Sequence, residues 1–146
     1  MDIKIRPAQL SDVESIFIVR TSVTENHLSR EEMRAMGITE STVSNMIKEG
    51  LCAWVATNDY DVVGFSMISR ERGSLFGLFV LPSYEGRGIG RRLTKIAEEE
   101  LFKHHDSAWL ETDKNSRAAK FYMDLGWTKT TTLDGAFIRL EKKRGS

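Results

Sequence analysis

Residues 75 to 101, LFGLFVLPSYEGRGIGRRLTKIAEEEL, change their hydrophobic period in mid-stretch, and that change limits what the chain can fold into. The run from Leu75 to Leu81 holds no glutamate, lysine or arginine and is broken by Pro82, which predicts a buried strand ending there. From Ile89 onward the spacing lengthens: Ile89, Leu93, Ile96, Ala97 and Leu101 share one helical stripe, with Arg91, Arg92, Lys95, Glu98 and Glu99 mostly off it. Between strand and helix, Gly86, Gly88 and Gly90 free the backbone of side chains where the first helical N–H groups lack partners. Unpaired amides and the helix dipole both favour an anion at such a turn, and Arg87 and Arg91 add positive charge. The turn therefore reads as a phosphate site.

The remaining elements follow in order. Asp2 to Arg6 alternates like a half-buried strand and stops at Pro7. Ser11 with Glu14 reads as a capping box opening a helix through Ile16, Phe17, Val19 and Arg20. Ser29 with Glu32 opens a short second helix carrying Met33 and Met36 and ending at Gly37, and Val43, Met46 and Ile47 mark a third that ends at Gly50. Cys52 to Thr57 and Val62 to Ser69 read as a hairpin around Asn58-Asp59-Tyr60-Asp61, followed by a turn from Arg70 to Gly73. Beyond the long helix come a strand at Ala108-Trp109-Leu110, a helix capped by Asn115 or Ser116 and stopped by Gly126, and a hairpin around Asp134-Gly135. The charged tail from Glu141 to Ser146 is expected to fray. With neither repeat nor linker, the expectation is one α/β (α+β) domain over residues 1–146.

Composition removes several function classes. Lysine plus arginine (21) equals aspartate plus glutamate (21), and the charges are interspersed, so no field favours nucleic acid or an anionic membrane. One cysteine and three scattered histidines match no zinc spacing, and no metal is expected. Met1 leads directly into the Ile3, Ile5 alternation, so no secretory leader is expected and a cytoplasmic location is the default. The other phosphate motifs fail: a G-x-G-x-x-G fingerprint from Gly86 would need glycine where Arg91 stands, and no G-x-x-x-x-G-K-[ST] occurs.

Leu78-Phe79-Val80-x-Pro82, then Gly86-Arg87-Gly88-Ile89-Gly90-Arg91, then Asn115-x-x-Ala118-x-x-Phe121-Tyr122-x-x-Leu125-Gly126-Trp127 together resemble the GNAT superfamily of acetyl-CoA-dependent N-acetyltransferases. The resemblance runs from Ile3 to Leu140, and it departs from the family pattern at Glu85, where glutamine or arginine is usual. An inward carboxylate would repel a pyrophosphate, so the Glu85 side chain is expected in solvent. The resemblance implies a mixed, mainly antiparallel sheet of about seven strands flanked by four to five helices. It further implies that the backbone of Leu78, Phe79 and Val80 holds the acetyl and pantetheine portions of acetyl-CoA, and that the amides of Gly86, Arg87, Gly88, Ile89, Gly90 and Arg91 hold its pyrophosphate. Exposed sheet edges in this fold often pair, which makes a homodimer an expectation.

Acetyl transfer from a thioester to an amine needs a neutral nucleophile, stabilisation of a developing oxyanion, and a proton for the departing thiolate. Deprotonating a lysine-like amine at pH 7 costs roughly 4 to 5 kcal/mol, an α-amino group only about 1 to 1.4. Asn115, Ala118, Ala119 and Tyr122 are spaced i, i+3, i+4, i+7, which predicts one shared helix face. On spacing alone Tyr122 also fits a core aromatic and Asn115 a helix cap; the resemblance implies that Tyr122 protonates the thiolate and Asn115 bonds a pantetheine amide. It implies Glu111, at the end of the Ala108-Trp109-Leu110 strand, as one candidate base, with water as the other. Glu25 and Asn26 lie between the first helices, where the family builds its acceptor pocket. The expected function is transfer of acetyl to a primary amine of a small molecule or peptide. A non-catalytic acyl-CoA-binding or protein-interaction module is the alternative.

Other features take plainer readings. Glu98-Glu99-Glu100 reads as a solvated face, His104 and His105 as a cationic helix end, and Cys52 as a small buried hydrophobe. Trp54, Phe65, Trp109, Trp127 and Phe137 read as core.

Overall fold

The period change at Pro82 separates strand from helix in the computed structural model, which describes residues 2–24 and 27–146. The elements are β1 (Lys4–Pro7), α1 (Val13–Ser22), α2 (Arg30–Ala35), α3 (Glu40–Glu49), β2 (Ala53–Thr57), β3 (Val62–Ser69), β4 (Ser74–Val80), α4 (Ile89–His104), β5 (Ser107–Asp113), α5 (Arg117–Asp124), β6 (Thr128–Thr132) and β7 (Phe137–Lys143). One 7-stranded sheet runs in the order β1-β2-β3-β4-β5-β7-β6. β1–β2, β2–β3, β5–β7 and β6–β7 pair antiparallel, while β4 and β5 run parallel with Ser74 opposite Trp109. The expected mixed, mainly antiparallel α+β architecture is what the chain forms. Two compact units divide it: Met1–Met67 with Gly77–Ala97, and Ile68–Phe76 with Glu98–Ser146.

In the first unit the core gathers on β2 and β3, where Val55, Ala56 and Val63 are fully buried, with Ile16, Phe17 and Val19 from α1. α2 begins with the predicted reciprocal box of Ser29 and Glu32, and α3 begins with a Thr39–Thr42 box that the sequence reading had not marked. The box predicted at Ser11 and Glu14 does not form. A short 3-10 turn at Leu10–Asp12 precedes α1 instead, because the Asp12 carboxylate accepts the Gln9 N–H at 2.7 Å and the Arg6 guanidinium at 2.7 and 3.0 Å. Burial pushes the Asp12 carboxyl up, but these hydrogen bonds outweigh burial and hold it below the usual range. Glu14 is left to pair with Arg30 at 2.6 Å. Met36 is exposed rather than packed. Gly64 brings β3 against the neighbouring elements, since a Cβ there would meet the Phe79 carbonyl at 3.1 Å and the Leu93 side chain at 3.2 Å. Ser66 donates to the Leu93 carbonyl at 3.1 Å.

In the second unit β5 and β7 pair from Ser107↔Lys143 to Asp113↔Phe137, so the tail does not fray at Glu141 as expected. Lys142 explains why: its ammonium donates to Glu98 and to the Leu125 carbonyl, each at 2.8 Å. The Trp127 indole also donates to Glu98, at 3.0 Å. The predicted solvated acidic run is therefore corrected, because only Glu99 of the three is exposed; Glu100 is buried beside Lys103, His104 and Arg70. Trp54, Phe65 and Trp127 are core as expected, Trp109 is half-buried, and Phe137 is exposed because odd-numbered residues of β7 face away from Ile138 and Leu140.

Candidate functional site

The site residues proposed from sequence fall in both units, and each group is built by its own neighbours. In the first unit, β4 leads through a 3-10 turn at Pro82–Tyr84 into Gly86 and Gly88, whose φ angles are +77° and +79°. Both occupy the left-handed region that a side chain disfavours, and a Cβ at either would meet nothing within 4 Å. The glycines are thus required by conformation, and the space above them is open. Gly90 already lies in α4, where its carbonyl accepts the Thr94 hydroxyl at 2.8 Å. The Arg92 N–H donates to the Gly88 carbonyl at 3.2 Å, so the N–H groups of Ile89, Gly90 and Arg91 precede the first helical donor. Ile89 buries its side chain and offers only this amide. Arg87 and Arg91 are exposed, and so is Glu85, as its departure from the pattern required.

Leu78, Phe79 and Val80 are half-buried at the end of β4. Phe79 packs on Phe65 with ring centroids 5.7 Å apart and carries the Arg20 guanidinium 4.1 Å above its ring. Burial lowers the Arg20 guanidinium from its usual range. Glu25 and Asn26 lie outside the described residues.

In the second unit Ser116, not Asn115, caps α5: its hydroxyl accepts the Ala119 N–H at 3.1 Å. Asn115 stands before the helix, exposed, with its N–H donated to Asp113 at 2.8 Å. The predicted shared face therefore shortens to Ala118, Ala119 and Tyr122, because the Asp113–Ser116 turn postpones the helix. Tyr122 is 7% exposed, set edge-on to Trp127 at 5.9 Å and to Phe121 at 5.2 Å. This burial pushes the phenol well above its ordinary range. Glu111 is exposed on β5 opposite Arg139 of β7. Arg139 stacks 4.2 Å over Trp109 and lies 3.4 Å from Glu141, leaving Glu111 without an ion pair among the described residues.

The chemistry available is an anion cradle of backbone amides in one unit and, in the other, a protonated phenol and a solvated carboxylate. Two residues near the turn had escaped the sequence reading. Asn58 donates to the Tyr84 hydroxyl at 2.7 Å, across a separation of 26 residues that no local signal spans. Among the described residues no group of three or more His, Cys, Asp or Glu could hold a metal, and no helix is long and apolar enough to cross a membrane.

Known proteins share this fold. The chain is similar to the PaiA N-acetyltransferase of Thermoplasma acidophilum solved with coenzyme A (23% identity, TM-score 0.80, covering 98% of this chain and 99% of that one). It is similar to YncA of Salmonella typhimurium, solved with its cofactor acetyl-CoA (15% identity, TM-score 0.76, 97% and 93%). A third likeness is to the ribosomal-protein-S18-alanine N-acetyltransferase of Escherichia coli (20% identity, TM-score 0.72, 97% and 94%). These likenesses carry the fold. The sequence model of the acetyltransferase (GNAT) domain matches residues 21–135, and the chain belongs to that family of acetyltransferases.

Proposed function

We propose that residues 1–146 act as one N-acetyltransferase domain that moves the acetyl group of acetyl-CoA directly to a primary amine of a small molecule or peptide. The observation that carries the reading is the turn after β4. Gly86 and Gly88 hold positive φ, the N–H groups of Ile89, Gly90 and Arg91 precede the first helical donor, and Arg87 and Arg91 are exposed. These residues fit a pyrophosphate, since backbone donors and flanking guanidiniums complement its charge without a metal. Acetyl-CoA, when bound, supplies an acetyl group already activated as a thioester.

The chain's own residues do the rest. A backbone N–H within Leu78–Val80 stabilises negative charge on the carbonyl oxygen, and the same segment orients the pantetheine arm; Asn115 is assigned to a pantetheine amide on the family resemblance. The Tyr122 phenol is protonated at neutral pH, and burial raises it further, so it can donate to the leaving sulfur. Glu111, exposed and without an ion pair among the described residues, takes the proton of the acceptor amine directly or through water. For an α-amino acceptor that base must offset only about 1 to 1.4 kcal/mol at pH 7. Glu25 and Asn26 are assigned to acceptor binding on the family resemblance.

Thiol release from acetyl-CoA against a panel of chemically diverse amines, with the product identified by mass, tests the reading. Amine-dependent release is expected. Thermal stabilisation by acetyl-CoA with no amine-dependent release would instead make the chain an acyl-CoA-binding module. Greater stabilisation by ATP or NAD than by CoA would overturn the donor assignment.

A further inference from the structure

Asn58 follows β2 directly and is 8% exposed. Its side-chain oxygen accepts the N–H groups of Tyr60 at 3.3 Å and Asp61 at 2.8 Å. Two backbone donors on the oxygen fix which way the amide faces, so its NH2 must point outward, where it meets the Tyr84 hydroxyl at 2.7 Å. The loop is held in this shape at some cost: Asp59 has φ +90°, outside the range that residues other than glycine favour. Tyr84, two residues before Gly86, is thereby tethered at its hydroxyl end. Its ring carries the Arg87 guanidinium 4.8 Å from the centroid.

We infer that Asn58 and Tyr84 are positioning residues that hold Arg87 ready for a phosphate of the donor. The inference rests on the reading that the turn binds acetyl-CoA. A guanidinium stacked on an aromatic face keeps its in-plane N–H groups free to bond, and it has less rotamer freedom left to lose when a phosphate arrives. The competing contact is slight, because the Arg87 Nη2 lies 3.5 Å from the Ser83 carbonyl, at the limit of a hydrogen bond. Arg87 also sits between the two positive-φ glycines, so its side chain leaves the backbone where the amides of the turn begin. The hairpin loop thus acts on phosphate binding through two side chains that touch no ligand.

Calorimetric titration of the full chain with CoA at several salt concentrations tests this, using Tyr84→Leu, Arg87→Ala, their double variant and Tyr84→Phe. Each of the first two is expected to weaken CoA by about threefold to tenfold and to flatten the salt dependence of binding equally. The double variant should be no weaker than Arg87→Ala, because the tyrosine acts only through the arginine. Tyr84→Phe, which keeps the ring and loses the Asn58 hydrogen bond, should fall roughly twofold. An unchanged affinity and salt slope in Tyr84→Leu, or effects that multiply in the double variant, would overturn the inference. Should Tyr84→Leu fail to fold, Tyr84→Phe and its double with Arg87→Ala make the same comparison. An unaltered chain that does not bind CoA removes the acetyl-CoA reading together with this one, whereas binding indifferent to Tyr84 removes this one only.

Discussion

The turn after β4 and the surroundings of Tyr122 are built from different materials. At the turn the proposed binding groups are backbone amides, and the sequence contributes by withholding side chains at Gly86 and Gly88, both at positive φ. At α5 the proposed acid is a side chain, Tyr122, whose phenol is raised by what covers it: Trp127, Phe121 and burial to 7% exposure. A backbone site depends on local dihedral angles and should lose binding when they are disturbed. A side-chain site depends on its packed environment and should lose turnover while binding survives. The two regions can therefore be separated by which kinetic quantity each substitution moves.

The largest effect is expected at Tyr122. Tyr122→Phe removes the proposed proton source without removing the ring, so turnover should fall by about 10² to 10⁴-fold while CoA affinity stays as it was. Full turnover in the variant, measured where chemistry limits the rate, would remove the assignment. The pH profile offers a second check. Because burial raises the phenol, its acid form persists beyond the ordinary tyrosine value of about 10. Activity of the unaltered chain should then rise with pH as the amine deprotonates, with no alkaline fall below about pH 10. A descending limb near pH 8 to 9 that is lost in Tyr122→Phe would mean that the phenol is not shielded in this way.

A smaller effect of opposite character is expected at Gly88. An alanine there costs roughly 1 to 2 kcal/mol in the left-handed region, and its Cβ meets nothing within 4 Å, so strain is the whole effect. Relief of that strain distorts the turn, and CoA affinity should weaken about tenfold with turnover at saturation unchanged. Gly64→Ala is the contrast. Its Cβ would press on the Phe79 carbonyl at 3.1 Å, so the loss should appear as a lower unfolding midpoint. Equal changes of affinity and turnover in Gly88→Ala would break the distinction between the two materials.

That distinction also governs what could be read from residues alone. The strand, turn and helix around Gly86 are local: Pro82 stops β4, and the glycines fall where φ turns positive. The Ser29–Glu32 box and the β2–β3 hairpin were legible for the same reason. What failed was decided by distant partners. Ser11 and Glu14 have the right spacing for a box, but Asp12 is claimed by Arg6 and Glu14 by Arg30. Glu98 and Glu100 look solvated until Trp127, Lys142 and Arg70 are brought to them, and β7 extends to Lys143 because of the same Lys142. The Tyr84 tether needs Asn58, which no periodicity connects to it. For the candidate site, the family resemblance pointed to Tyr122 and Glu111, while spacing alone fitted a core aromatic at Tyr122 equally well; neither the phenol's burial nor the lack of an ion pair at Glu111 among the described residues has a local signature.

The smallest effect concerns what holds the Tyr122 helix in place. Asn115 and Ser116 both fit a cap by composition, and only the Ser116 hydroxyl accepts an α5 amide, that of Ala119 at 3.1 Å. Ser116→Ala should therefore cost about 1 kcal/mol of stability, read as a lower urea midpoint with unchanged slope. Asn115→Ala should leave that midpoint where it is, since its backbone N–H to Asp113 survives the substitution. If Asn115 bonds the pantetheine arm as proposed, its variant weakens CoA where Ser116→Ala does not. Equal destabilisation by both variants would mean that α5 begins one residue earlier in solution, restoring Asn115 to the face of Ala119 and Tyr122. That outcome would tie the acid's position to the same residue that contacts the donor, and the side-chain region would then respond to substitution as one unit.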